Sequence, residues 1–184
     1  NGSLKASGNF NENGEKEGAW NYYYENGLIK EKSGSLNGVT SGLVEGWFDN
    51  GNNKYEENYV NGKSNGLQKS YFYNGKLRSL TNAKDGINTG EQTYYNFKGE
   101  LSSIENLENN MLDGLTRLFY PDGKIKSEIM YKNGKETGTY KSFFNSGSKN
   151  IQGEYTDGLR QGLWITYFEN GTVSEKTTYL DNEI

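Results

Sequence analysis

The chain has 184 residues, 32% hydrophobic and 14% aromatic content, and 20 basic against 24 acidic residues, for a net charge of −4. This is too few apolar residues for a deep globular core and too many rings for a disordered chain, and the mixed charges exclude the basic footprint of a nucleic-acid binder. Cysteine and histidine are absent, which removes disulfides, thiolate metal sites, thiol redox chemistry and the commonest general base and metal ligand.

In chain order, residues 1–17 read as the back half of a repeat, with Asn13-Gly14 as its turn and Phe10 near the place that Tyr59 and Tyr131 take later. The spacing there is one residue longer than elsewhere, which predicts a bulge or slip. From Gly18 onward a glycine recurs every 24 residues, at Gly42, Gly66, Gly90, Gly114, Gly138 and Gly162. Nine positions after each comes another, Gly27, Gly51, Gly75, Gly99, Gly123, Gly147 and Gly171, preceded by Asn26, Asn50, Asn74, Lys98, Asp122, Ser146 and Asn170. The Asn-Gly and Asp-Gly pairs among these predict two-residue type I′ hairpin loops, whose central residues both need positive φ. A second turn follows eleven residues later, beginning at Asn37, Asn61, Asp85, Asn109, Asn133, Asp157 and Asp181. Each is followed by Gly or Asn, the residues that tolerate the left-handed region.

Two turns per 24 residues leave strands of about 6 to 9 residues, and no segment has the 3.6-residue period of a helix. The predicted fold is all-β, an elongated single-layer antiparallel β-meander of seven 24-residue β-hairpin repeats, with about fourteen strands and an N-terminal remnant. Residues 1–184 form a single repeat domain, divided into a partial repeat 1–17 and repeats 18–41, 42–65, 66–89, 90–113, 114–137, 138–161 and 162–184. Neither end carries an evident polar cap, so the array is expected to continue or to have its edges covered.

The fifth residue after each leading glycine is always aromatic: Tyr23, Trp47, Tyr71, Tyr95, Phe119, Phe143 and Tyr167. The sixth is nearly always so, from Tyr24 and Phe48 to Phe168, and adjacent strand residues point to opposite faces. A two-residue loop pairs the fifth position with the twelfth, placing Lys30, Lys54, Arg78 and Lys126 beside rings. These rings and cations form the candidate binding face, since exposed aromatics beside basic side chains are typical of interface hot spots. The same pairing puts the sixth and eleventh positions on the other face with Trp20, Trp164, Tyr59, Tyr131, Tyr155 and Tyr179, which is expected to be the better buried. A bulge in the hairpin would exchange these assignments.

The unit G-x-W-x-x-Y-F-x-N-G from Gly162 to Gly171, with Y-x-x-G from Tyr131 to Gly134, resembles the bacterial variant of the MORN repeat, and the likeness runs along essentially the whole chain. The resemblance implies an antiparallel-sheet binding module. Proteins similar to it are often labelled antitoxin components, and the wider family is regarded as scaffolding for proteins or lipids. Lysine-rich, asparagine-rich composition also fits a bacterial source.

Chemistry for catalysis is missing. The glycines are spaced for turns with no following helix to receive a phosphate. Glu56-Glu57 point to opposite faces, unsuited to shared acid–base work, and no serine has a histidine partner. Each Asp/Asn turn offers too few oxygens for calcium, so no catalytic residue, metal or cofactor is assigned. No apolar run reaches the roughly 20 residues that span a bilayer, so direct membrane insertion is not expected. Function is expected to be non-enzymatic protein–protein interaction, with another protein as partner, a bacterial toxin being one candidate, and no nucleic acid. The alternatives are a surface protein that binds glycan, cell wall or host through the aromatic ladder, and a passive spacer. No compartment is assigned: a cytoplasmic protein and an exported one whose leader has been removed fit equally.

Overall fold

Strand formation follows from the turns, which recur too often for any other regular element. The computed structural model describes residues 5–184, so the first four residues of the partial repeat 1–17 lie outside the description. The described residues contain nineteen strands, with antiparallel pairings throughout, and no helix. Four of the nineteen are two-residue pieces, Val39–Thr40, Lys63–Ser64, Ile87–Asn88 and Met111–Leu112; the others are the fourteen expected strands and the N-terminal remnant. Contacts divide the chain into two compact units. One runs to Asn88 and includes Phe97–Gly99; the other comprises Thr89–Asn96 and Glu100–Ile184. Each is a single-layer antiparallel meander in which strands adjacent in sequence pair.

The two turn families differ in backbone chemistry. All seven turns in the series that begins at Asn37 have positive φ at both central residues, as at Asn37 (48°) and Gly38 (78°) or Asp157 (51°) and Gly158 (86°). These are the type I′ loops, and the second residue extends the ladder: the Gly62 amide donates to the Thr40 carbonyl at 2.8 Å and the Gly158 amide to Glu136 at 2.9 Å.

The Asn-Gly pairs of the first series are not type I′, contrary to expectation. Asn26, Asn50, Asn74, Asp122 and Asn170 keep negative φ, and only the glycine after each is positive, as at Gly51 (84°). The Gly51 amide donates to the Phe48 carbonyl at 3.0 Å and the Phe48 amide to Asn52 at 2.8 Å. This is a three-residue loop, a type I turn closed by a glycine bulge. Asparagine serves it through its side chain: Asn50 Oδ1 accepts from the Asn52 amide at 3.0 Å, and Asn26, Asn74, Asp122 and Asn170 repeat the contact. The N-terminal turn at Asn13-Gly14 is also of this kind, with Gly14 bonded to Asn11 and Asn11 to Glu15. Its third loop residue accounts for the longer spacing there.

The leading glycines have a role that the sequence did not reveal. Gly42 (φ 85°), Gly66 (87°) and Gly138 (64°) lie in the left-handed region within the strand path. Pairing slips by two residues beside them, from Met130↔Thr137 to Ile129↔Tyr140 around Gly138. They are bulges that bend the strand returning from each type I′ turn.

The register separates two faces. Trp20↔Ser33, Tyr22↔Glu31 and Gly18↔Ser35 are direct pairs, so the second and seventeenth positions share one face, as expected. Trp20 and Trp164 are only 6% exposed. At the second position, Val44, Gln68, Gln92 and Thr116 are buried in turn. Gln68 satisfies the interrupted backbone beside Gly66, accepting from the Asn58 amide at 2.9 Å and donating to the Gly66 carbonyl at 3.1 Å. Each tryptophan lies over a glycine of the preceding strand, Trp20 on Gly8 and Trp164 on Gly153, where a Cβ would overlap the indole.

Candidate functional site

The fifth-position rings Tyr23, Trp47, Tyr71, Tyr95, Phe119, Phe143 and Tyr167 are all half-buried, on the face opposite Trp20 and Trp164. Their expected pairing with the twelfth position does not hold. The loop bulge makes Tyr23 pair with Ile29 and Trp47 with Asn53, so each fifth residue meets the eleventh. The basic residues Lys30, Lys54, Arg78 and Lys126 are exposed, and three of them reach the sixth ring instead. Lys30 lies 5.9 Å from the Tyr24 centroid, Lys54 5.8 Å from Phe48 and Lys126 6.0 Å from Tyr120. Arg78 has no ring contact of this kind among the described residues. The extra loop residue advances the return strand by one, the exchange that a bulge was expected to cause.

Trp47 does have a cation, Lys32 at 5.4 Å, which projects from the preceding strand. Tyr71 donates to Glu56 Oε1 at 2.6 Å, and Lys69 pairs with Glu56 Oε2 at 2.8 Å. Lys69 and then Tyr71 hold the Glu56 carboxyl below its usual range, while burial, with Glu56, pushes the Tyr71 hydroxyl up to about 12. Arg117 and Glu128 form a second ion pair of this kind at 2.8 Å. Four charges on this open face are thus neutralised in pairs.

The open face of the first unit also carries aliphatic side chains that nothing covers. Leu36, Val39, Leu43, Val60 and Leu67 are each 43–55% exposed. Leu36 and Val39 are direct partners at the type I′ edge. This row was missed because the sequence reading followed rings and not the first position after each leading glycine, where Leu43, Leu67, Leu115 and Leu163 recur.

The opposite face contains a hollow in each unit. In the second unit a hollow of about 410 Å³ is walled by Tyr131, Tyr140, Tyr155, Trp164 and Tyr179, with Arg160, Glu136 and Glu175. The Arg160 guanidinium lies 4.7 Å from the Trp164 ring and 5.3 Å from Tyr179. Tyr140 stacks on Trp164 at 5.6 Å, and Tyr155 and Tyr179 meet the indole edge-on at 5.0 and 6.2 Å. In the first unit a hollow of about 260 Å³ repeats the plan with Lys16, Trp20, Tyr22, Glu31, Tyr55, Glu57 and Tyr59. Lys16 lies 4.6 Å from the Trp20 ring and bonds the Tyr22 hydroxyl at 2.6 Å. Glu31 accepts from Tyr55 at 2.6 Å and Glu57 from Tyr59 at 2.8 Å; burial, with Glu57, pushes the Tyr59 hydroxyl up to about 12. The signal for both hollows was present in the sequence, as a basic residue two before and a tryptophan two after Gly18 and Gly162.

Among the described residues no group of three or more carboxylates gathers to hold a metal ion. Three segments, 64–85, 112–133 and 160–181, match the family model described as MORN repeat variant, and these matches support a MORN-repeat family. Each matched segment runs from the strand before a leading glycine to the first residue of the next type I′ turn. MORN repeats are often protein- or membrane-binding modules. No curated protein matches the chain.

Proposed function

We propose that this chain is a non-enzymatic repeat module that binds another protein through its open face, and that the partner is a bacterial toxin which it neutralises. The observation that carries the reading is the row of exposed aliphatics, Leu36, Val39, Leu43, Val60 and Leu67, on the same face as the half-buried rings Trp47 and Tyr71. Contiguous apolar surface of this kind marks interaction sites on soluble proteins, and aromatic anchors ringed by polar groups are where binding energy concentrates. The toxin as partner rests on the resemblance to antitoxin-labelled proteins.

The test is co-expression with the product of the gene adjacent to this one, read by co-purification and by recovery of growth from any toxicity of that product. Leu43→Asp with Leu67→Asp, both exposed and so expected to fold, should abolish the complex and the recovery. An unaltered complex would move the interface elsewhere. No complex with the native chain would leave a spacer role in its place.

A further inference from the structure

The proposed protein interface uses the open face and leaves the two hollows unexplained. Their electrostatics set them apart from the rest of the molecule. The ion pairs of the described residues, Lys69–Glu56, Arg117–Glu128, Lys124–Asp122 and Lys132–Asp113, all lie outside both hollows. Within them, opposite charges sit together without pairing. Arg160 contacts the Tyr179 hydroxyl at 3.3 Å, and Glu175 accepts from Thr177 at 3.2 Å; neither Glu136 nor Glu175 forms an ion pair with Arg160. The same separation holds between Lys16 and the hydroxyl-bound Glu31 and Glu57.

Hydroxyl groups, not counter-charges, thus orient Arg160, Glu175, Lys16, Glu31 and Glu57. An arginine with most of its five donors still available and carboxylates with free lone pairs complement a ligand rich in neutral hydroxyls, which both donate and accept. Apolar surface is present alongside: Ile129 and Ile151 line the larger hollow, and Leu118 there is 40% exposed. Tyrosine rings on the walls offer flat faces to C–H groups. The Trp164 ring is more than nine-tenths buried, its N–H included, which makes the indole resonance a reporter on this wall; the Trp20 indole in the other hollow is in the same state. Two carboxylates against one cation disfavour an anionic ligand, and a volume of about 410 Å³ falls within the usual range of small-ligand sites.

The geometry points to a carbohydrate site: the hollow around Trp164 takes a neutral mono- or disaccharide, with Arg160, Glu136 and Glu175 gripping its hydroxyls between tyrosine rings, and the hollow around Trp20 is a smaller site of the same class. This is a different surface from the proposed protein interface, so either can fail alone.

The test uses the full chain and a panel of glucose, galactose, mannose, N-acetylglucosamine and their 1,4-linked dimers, followed through the Trp164 indole resonance by NMR. At least one saccharide should shift that resonance saturably. Glu175→Gln and Arg160→Gln should each weaken binding about ten-fold or more, as expected for loss of a hydrogen bond to a charged group, while Leu43→Ser on the open face should not. Glu175 is exposed, so its variant is expected to keep the fold. A panel that leaves the indole unmoved would overturn the assignment, as would variants that bind like the native chain. Saturable binding of a tri-arginine peptide in place of any sugar, weakening steeply with salt, would also overturn it and identify the hollows as seats for a basic protein segment.

Discussion

Asparagine performs two different tasks in this chain, and single positions distinguish them. At Asn61 the backbone is held at φ 50°, where an ordinary side chain costs about 1–2 kcal/mol. At Asn50 the backbone is unexceptional and the side chain accepts a bond from the Asn52 amide, a contact worth about 0.5–1.5 kcal/mol. Both alanine variants should lose stability in urea titrations, but glycine should separate them. Asn61→Gly keeps the needed φ and should be near neutral; Asn50→Gly loses the bond, adds chain entropy and should cost at least as much as Asn50→Ala. An equal response to glycine at the two sites would contradict the two turn types. The dipeptide Asn-Gly supports either loop, so the sequence located every turn without distinguishing them. Size complementarity is the other effect at this scale. Gly153→Ala forces a methyl into the Trp164 ring and should cost about 1–3 kcal/mol as overpacking. In a Trp164→Ala background most of that cost should vanish, and a double-mutant cycle reads the difference.

At the scale of the hairpin, one loop residue decides which ring each cation meets. The alternation of faces was legible from Gly18 to Tyr22, because strand period needs no knowledge of the turn. Past the turn it was not, since a two-residue and a three-residue loop place Lys54 opposite different partners. The offset has a measurable consequence. A cycle between Lys54→Met and Phe48→Leu should show a coupling of about 0.5–1 kcal/mol, typical of an exposed cation–π pair. The cycle between Lys54→Met and Trp47→Leu should show almost none, and Lys32→Met with Trp47→Leu should restore it, following the observed contacts. Strong coupling between Lys54 and Trp47 would mean that the bulge is absent in solution. The hollows were only partly legible for a related reason. Arg160 and Trp164 are four residues apart on one strand, but their neighbours Tyr140, Tyr155 and Tyr179 come from three other strands, and only the register aligns them.

Over the chain as a whole, the 24-residue interval was the strongest signal, and it is the bulges and turns that give it physical meaning. Each repeat contacts chiefly its sequence neighbours, so stability is a sum of repeat and neighbour contributions, and a whole unit should be removable. Excising residues 42–65 joins Ser41 to Gly66, which restores the Ser-Gly step of Ser41-Gly42 and keeps every side chain on its face. That shortened chain should retain a strand-type circular dichroism spectrum and a cooperative urea transition, with a smaller denaturant slope because less surface is exposed on unfolding. Excising 42–64 leaves one residue too many. It must either be absorbed by another bulge or turn every following side chain of the strand to the opposite face, which would bring Gln68 out of the core and Leu67 into it. This second chain should lose several kcal/mol or fail to fold. Equal tolerance of both excisions would show that the repeat is a pattern of composition alone, with no fixed register behind it.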